Sequence, residues 1–155
     1  MSQQSSDAVY CSHVLEHLTL ADLRTALSNV LRMMKPGAVF RMVLPDLEFY
    51  IKQYETHLSP DAAEIFMRST LLGEETGCKG LYPFLAYVLG TSKHRWMWDY
   101  KGLKRELEIT GFKDVRRAEI GDCEDPLLAP FFSLVETSSR WTNCLGLQCR
   151  YYEQK

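Results

Sequence analysis

The fold is decided by the stretch Asp7-Ala-Val-Tyr-Cys-Ser-His-Val-Leu-Glu-His-Leu18 and, further along the chain, by Phe40-Arg-Met-Val-Leu-Pro-Asp46. Ala8 to Val14 is apolar and rich in β-forming residues, which predicts a strand. Ala38 to Leu44 has the same character and predicts a second strand that ends at Pro45. A helical pattern separates the two runs. A strand, a helix and a strand in so short a span predict a right-handed crossover with two parallel strands.

Helix signals lie between and after these strands. Thr19, with Asp22 three residues later, has the form of a capping box, and leucines at helical spacing follow it until Pro36-Gly37 is predicted to end the helix. The section from Asp46 to Ser92 is predicted to be helical, with one helix between Ser59-Pro60 and Gly73. The remaining predicted elements are a helix from Asp99 to Gly111 that carries Leu103 and Leu107, a strand from Val115 to Ile120 and a last strand from Cys144 to Tyr152.

The composition is that of a single globular domain over residues 1–155, since 46% of the residues are hydrophobic and can form a core. A formal net charge of -2 provides no strong field for nucleic acid or for an acidic membrane surface. No apolar run approaches the roughly 18 residues of a membrane span, and we recognise no secretory leader. We therefore expect a cytoplasmic protein that binds neither nucleic acid nor membrane.

The five cysteines are expected to be free thiols. Their number is odd, they are widely spaced and no CxxC occurs. This pattern fits neither a disulfide framework nor a zinc ribbon.

Two blocks of the sequence resemble a known family. The first runs from Asp7 to Glu48 and contains an acidic residue, an apolar strand, the SHVLEHL motif, a helix, Met34-Lys-Pro-Gly-Ala38 and a strand that ends in Pro-Asp. The second runs from His94 to Val115 and ends in Gly111-Phe-Lys-Asp-Val115. In this order and spacing they resemble the second half of a Rossmann-like, class I, type 11 S-adenosylmethionine-dependent methyltransferase domain.

The resemblance implies an α/β fold with an incomplete Rossmann-like sheet, made of the family's fourth to seventh strands, and a helical insertion at residues 46–92 on the acceptor side. In the family the cofactor lies across the carboxyl ends of the strands, as in open α/β sheets generally. Its Gly-rich turn and its ribose-binding acidic residue would precede Asp7, and this sequence contains no GxGxxG or GxGxG. We therefore expect a family member that is inactive as this chain alone, and whether the chain is an enzyme stays open.

The resemblance also implies which residues remain from the cofactor site. Cys11, Ser12 and His13 follow the family's fourth strand, where complete relatives approach the methionine half of S-adenosylmethionine, and Glu16 and His17 begin the next turn. The alternative is a strand end whose polar groups only cap the following helix.

On the acceptor side, the resemblance favours His94 as a catalytic base or acceptor contact. Trp96, Trp98 and Tyr100 follow His94 at alternate positions and form an aromatic cluster with it in the sequence. Asp46 is a further candidate at the rim of the acceptor pocket. The alternative for the cluster is aromatic packing with a structural histidine. The alternative for Asp46 is a turn charge before a helix. The acceptor itself is a small molecule that the sequence does not identify.

His13-Val-Leu-Glu-His17 also matches the HxxEH pattern of inverted zincins, in which two histidines of one helix bind zinc. An apolar β-prone run leads straight into His13, and the predicted helix begins only at Thr19, so the two rings need not converge. The sequence therefore predicts no bound metal, and a zinc hydrolase is kept as an alternative function.

Two further hypotheses concern partners. A missing first half could be supplied by another chain or by a longer gene product, or the leftover fold could be a non-catalytic interaction module. In a complete relative the strand at 8–14 is central, and the family's first strand is hydrogen-bonded along one of its sides. Without this first strand we expect an exposed edge and a homo-oligomer formed through residues 8–14.

Overall fold

A computed structural model describes residues 4–75 and 93–153, and in these residues the strands form one four-stranded sheet. The sheet order is β1-β2-β4-β3. β1 and β2 are parallel, and β4 is antiparallel to both of its neighbours. The strands are β1 (Ser6–Ser12), β2 (Met34–Pro45), β3 (Lys113–Arg117) and β4 (Cys144–Arg150). This sheet confirms the predicted α/β fold and its parallel pair.

Helices connect and cover the strands. They are α1 (Leu20–Met33), α2 (Leu47–Thr56), α3 (Ala62–Ser69), α4 (Tyr100–Thr110), α5 (Ala129–Val135), α6 (Ser138–Trp141) and a 3₁₀ helix (Leu15–His17). In the part of the chain that the structure covers, no helix is long and apolar enough to cross a bilayer. The predicted helical section is represented by α2 and α3, and its residues 76–92 lie outside the described residues.

In the β1–α1–β2 crossover, the helix begins where the sequence predicts and ends earlier than predicted. The hydroxyl of Thr19 accepts a hydrogen bond from the N–H of Asp22 at 3.2 Å, so the predicted cap is confirmed. The prediction that Pro36-Gly37 ends the helix is wrong, because α1 ends at Met33 and the next strand begins at Met34. Gly37 lies inside β2 with a φ of +84°, a backbone conformation that glycine adopts easily because it has no Cβ. The glycine therefore allows a local irregularity in the strand and does not end a helix.

Other predicted boundaries shift by a few residues. β1 ends at Ser12 rather than Val14, and β3 ends at Arg117 rather than Ile120. α3 begins after Asp61, two positions beyond Ser59, and ends before Gly73. The helix signals around α4 are confirmed: the Asp99 carboxylate accepts from the N–H of Gly102 at 2.8 Å, and Gly111 ends the helix with a φ of +116°.

The two faces of β2 bury different chemistry. Phe40, Met42 and Leu44 face an apolar layer formed with α1 and α4, in which Leu23, Leu27, Leu103 and Leu107 are fully buried. Arg41 points to the other face and is also fully buried. Its guanidinium pairs with Glu136 and Asp122, donates to the Gln148 side chain at 3.0 Å and lies 5.2 Å and 5.3 Å from the ring centroids of Phe132 and Trp141. The chain between β3 and β4 therefore covers the second face of the sheet and packs around the Arg41 side chain. With α1 and α4 on the first face, the domain has three layers.

Arg41→Met should lower the free energy of unfolding by about 3–5 kcal/mol, because it leaves a buried carboxylate without its cation. Urea denaturation measures this change. Arg32→Met, on the exposed side of α1, is the control and should stay within about 0.5 kcal/mol of the parent. A loss at Arg41 no larger than at Arg32 would contradict a structural role for the pairing.

Candidate active site

Three strand ends meet at one edge of the sheet. The parallel pairing places the carboxyl end of β1, at Ser12, beside Val43 near the end of β2. β4 runs in the opposite sense, so its first residue, Cys144, pairs with Pro45 at the same edge. Carboxyl ends of parallel strands are where open α/β sheets bind ligands.

The chain leaves β1 through a strained residue. His13 has a φ of +54°, a left-handed conformation that is uncommon for residues other than glycine. Its N–H donates to the Val43 carbonyl at 2.9 Å, its Nδ1 lies 3.0 Å from the Ser12 hydroxyl, and its Nε2 lies 3.5 Å from the Cys144 thiol. Strain of this kind persists where surrounding contacts hold it, and it concentrates at functional sites.

A distant segment is tied to the turn after β1. The backbone carbonyl of Glu16 accepts hydrogen bonds from the N–H of Arg95 at 2.7 Å and of Trp96 at 3.1 Å. The Nδ1 of His17 lies 3.0 Å from the carbonyl of Lys93. A carbonyl can only accept, so this nitrogen carries the proton and donates. Together these three bonds place His94 against the 3₁₀ helix.

The result is a compact cluster of Glu16, His17 and His94. One ligand-type atom from each lies within 4.8 Å of the others, and the two imidazole rings are 5.1 Å apart between centroids. Glu16 is only 1% exposed, and neither of its carboxylate oxygens has a hydrogen-bond partner. The Nδ1 of His94 is buried without a partner as well. The sequence predicted each of these residues singly, and the structure brings them together.

Burial dominates the electrostatics of this edge. Loss of solvation raises the pKa of Glu16; the residue's own backbone N–H, which lies near the carboxylate without hydrogen-bond geometry, and His17 oppose this rise. Burial lowers the pKa of His94, and His17 lowers it further. Burial also lowers the pKa of His13, with Arg140 and His17 adding to the effect. These two imidazoles therefore favour the neutral form, which can accept a proton.

The two thiols near the edge are not activated. Burial and the Glu16 carboxylate raise the pKa of Cys11 to about 11. Burial, Glu16 and Asp46 raise the pKa of Cys144 to about 11. Both thiols are protonated at neutral pH, and a thiol in this form is a poor nucleophile.

The other predicted acceptor-side residues have structural contacts. Trp98 is 5% exposed and belongs to the apolar core, while Trp96 is 42% exposed with its ring 5.9 Å from that of Trp98. The Tyr100 hydroxyl donates to the Val115 carbonyl at 3.2 Å. The Asp46 carboxylate caps α2 by accepting from the N–H of Glu48 at 3.0 Å. These contacts favour the structural alternative for Trp98, Tyr100 and Asp46, and their acceptor role stays a prediction.

Sequence reasoning missed Cys144 as a residue of this edge. It assigned Cys144 only to a strand, since nothing local indicates that the last strand inserts antiparallel beside β2. The sequence carries no signal for this position, because it follows from the observed antiparallel direction, which brings the start of β4 to the carboxyl ends of β1 and β2. Ser12 and His13 also line a cavity of about 340 Å³ that Ser139 and Arg140 complete from α6.

Comparisons with known proteins bear on the fold of this chain. Residues 1–42 match the sequence profile of the family described as "Methyltransferase domain". A search of curated proteins finds no significant match. Among solved structures, the fold is similar to a chain in the complex between the Haloferax volcanii Trm112 methyltransferase activator and a proposed methyltransferase, at 12% identity and a TM-score of 0.51 over 99% of this chain and 57% of that chain. It is also similar to a proposed O-methyltransferase from Nostoc punctiforme, at 11% identity and a TM-score of 0.50 over 96% of this chain and 33% of that one.

A third structure, an S-adenosylmethionine-dependent methyltransferase from Archaeoglobus fulgidus, is matched at 16% identity and a TM-score of 0.49, over 96% of this chain and 60% of that chain. The chain thus spans between a third and about three fifths of these proteins. The profile match and the fold confirm the predicted resemblance to a Rossmann-like methyltransferase domain. The profile covers most of the first sequence block and none of the second, which begins at His94.

Glu16→Gln should make the chelator-treated protein more stable at pH 8 by at least about 1 kcal/mol, because it removes a buried, unpartnered charge. A raised pKa in the folded state means that the parent loses stability as pH rises from the unfolded value of about 4.3 through the folded value. The advantage of the variant should therefore shrink towards pH 4. Urea denaturation at both pH values measures it, with exposed Glu55→Gln as the control. Equal pH dependence in parent and variant would mean that Glu16 is solvated.

Proposed function

We propose that this chain is the acceptor-side half of an S-adenosylmethionine-dependent methyltransferase domain and is inactive without a Gly-rich first half. The single observation that carries the proposal is the cluster of Glu16, His17 and His94 at the carboxyl edge, held by a segment that the family resemblance assigns to the acceptor side. The profile match over residues 1–42 supports the family. A cytoplasmic location stays part of this proposal.

In such a domain, His94 acts on the acceptor. Methyl transfer is a displacement at a carbon already activated by sulfonium, so alignment of donor and acceptor contributes up to roughly 7–11 kcal/mol. A general base adds typically about 10²–10⁴-fold. His94 favours the neutral form because burial lowers its pKa, and its Nδ1 has no hydrogen-bond partner. These two properties support a role in accepting the acceptor's proton.

The segment from Cys11 to His17 supplies the part of the cofactor site that this chain retains. Ser12 and His13 line a cavity at the end of β1, and the positive φ of His13 turns the backbone towards the sheet edge. By resemblance, this segment contacts the methionine half of the cofactor. The Gly-rich turn of the family and its acidic residue that binds the ribose have no counterpart in this sequence.

S-adenosylhomocysteine should therefore bind this chain weakly, with a dissociation constant well above the low micromolar range, since each lost 1.4 kcal/mol is a factor of about ten. A titration followed by amide chemical shifts measures affinity and location together. Shifts should be confined to residues 11–17 and their neighbours at the edge. Adenosine, which lacks the amino-acid half, is the matched control and should leave these amides unchanged. Low-micromolar binding, or shifts centred elsewhere, would contradict the proposed cofactor position.

A partner is expected at β1. In the described residues β1 pairs only with β2, so one side of the strand is an open edge. The N–H of His13 donates to β2. Because N–H groups alternate along a strand, those of Val9 and Cys11 also face β2, and those of Ala8 and Tyr10 face away. We propose that a second copy of this chain, or a missing first half, pairs with this edge.

Ala8→Pro should weaken self-association while leaving the fold intact, because it removes an outward N–H without touching the β1–β2 ladder. Val9→Pro is the comparison and should destabilise the chain itself, since its N–H faces β2. Light scattering at micromolar concentration and thermal unfolding separate the two effects. A monomeric parent whose outward β1 amides are protected from hydrogen exchange would show that another part of this chain covers the edge.

The same open edge supports the second candidate, a non-catalytic interaction module. That candidate predicts partner binding that survives His94→Ala and Glu16→Gln without change. The methyltransferase proposal predicts that the Glu16, His17 and His94 cluster matters for the reconstituted domain. Activity of the variants after addition of a first half distinguishes the two.

A further inference from the structure

The turn after β1 forms a donor set that the HxxEH pattern does not describe. In that pattern the two histidines bind the ion and the glutamate activates water. Here His13 leaves a strand with a positive φ and approaches Cys144, whereas His17 lies in a 3₁₀ helix. The side chain that joins His17 is His94, which comes from 77 positions further along the chain, together with Glu16. The sequence expectation of no metal considered the pair of His13 and His17 and therefore did not test this set.

We infer that Glu16, His17 and His94 bind a divalent transition-metal ion, with Zn²⁺ as the best fit. Two imidazole nitrogens and one carboxylate oxygen are the ligand set of many zinc sites that keep a coordination position open. Imidazole nitrogen favours zinc and its first-row neighbours over magnesium or calcium, which prefer oxygen ligands. All three ligands come from this chain, so the site needs neither a partner chain nor S-adenosylmethionine.

The buried polar atoms support this assignment. Both carboxylate oxygens of Glu16 and the Nδ1 of His94 are buried without a hydrogen-bond partner. A buried carboxylate without a partner is costly, so such groups are normally paired or bound to a metal. In the described residues, the Nε2 of His17 lies 3.9 Å from this carboxylate, which is too far for a hydrogen bond. A divalent cation between these atoms would satisfy all of them.

The orientation of His17 supports it independently. Its Nδ1 donates to the backbone carbonyl of Lys93 at 3.0 Å, which leaves the Nε2 lone pair directed to the side of Glu16. Metal-binding histidines almost always donate their second nitrogen in this way, to a carbonyl or a carboxylate. The two bonds from Arg95 and Trp96 to the Glu16 carbonyl hold the turn and the distant segment at a constant separation.

The spacing allows binding after a small contraction. The three donor atoms lie within 4.8 Å of one another. At metal–ligand lengths of about 2.0–2.2 Å, donors at tetrahedral angles are about 3.4 Å apart, so they must approach by roughly 1.4 Å. Side-chain rotation of Glu16 and His94 can supply this approach. The Glu16 carboxylate and the Nδ1 of His94 have no hydrogen bond to lose in this movement, whereas the contact of the His94 ring with the Thr70 backbone has to adjust.

Zinc titration by calorimetry tests the inference on the full chain, made without a histidine tag and treated with a chelator. We expect one Zn²⁺ per chain. His17→Ala, His94→Ala and Glu16→Gln should each weaken binding by more than the roughly 10–100-fold that loss of a supporting residue costs. Circular dichroism checks that each variant is folded, and Co²⁺ absorption of the parent should lack a sulfur-to-metal charge-transfer band.

The chain has four histidines, so the other two serve as controls. His57→Ala, on the exposed end of α2, should bind zinc like the parent. His13→Ala separates the two patterns, because it should retain binding here and lose it if the HxxEH pair were the site. Absence of stoichiometric zinc binding, or loss of binding in His13→Ala but not in His94→Ala, would overturn the inference. A zinc ion that takes the Nδ1 lone pair of His94 excludes the base role proposed above, so that role applies to the metal-free chain. Neither result depends on S-adenosylmethionine, so the two proposals are tested separately.

Discussion

The backbone carbonyl of Glu16 is the point on which the site depends. It accepts the N–H groups of Arg95 and Trp96, and thereby connects the turn after β1 to the segment that leads into α4. Without these bonds, His94 would have no fixed relation to the sheet edge. With them, three polar side chains from two distant parts of the chain lie close together, with Glu16 buried and the two histidines partly exposed. The crossover β1–α1–β2 supplies the rigid support, because its leucines and the interior of β2 are fully buried.

The carboxyl edge of the sheet carries two features that lower the stability of the domain. His13 has a left-handed backbone, and the Glu16 carboxylate is buried without hydrogen bonds. The opposite face of β2 shows how the same chain treats a buried charge when only structure is at stake: Arg41 is surrounded by Glu136, Asp122, Gln148 and two aromatic rings. The contrast between one satisfied charge and one unsatisfied charge in the same small domain favours a ligand-binding role for Glu16.

Local interactions were predictable from the sequence, and non-local ones were not. Thr19, Asp99 and Gly111 act within one turn of a helix, so their roles as caps and stops could be predicted. Pro36-Gly37 was misjudged because pairing of Ser6 with Met34, 28 positions away, already begins the strand. The Arg41 network, the position of Cys144 and the approach of His94 to Glu16 depend on contacts across the whole domain, which no local pattern encodes. The resemblance indicated the region of the site, and only the fold brings its side chains together.

The central claim is that this chain by itself assembles Glu16, His17 and His94 at the carboxyl edge of its sheet. The most direct test is a long-range ¹H–¹⁵N correlation spectrum of the histidine rings, combined with nuclear Overhauser contacts between them. The account predicts that His17 carries its proton on Nδ1, because that nitrogen donates to Lys93, and that the rings of His17 and His94, 5.1 Å apart between centroids, show direct contacts. A His17 ring that exchanges between tautomers and shows no contact with His94 would contradict it.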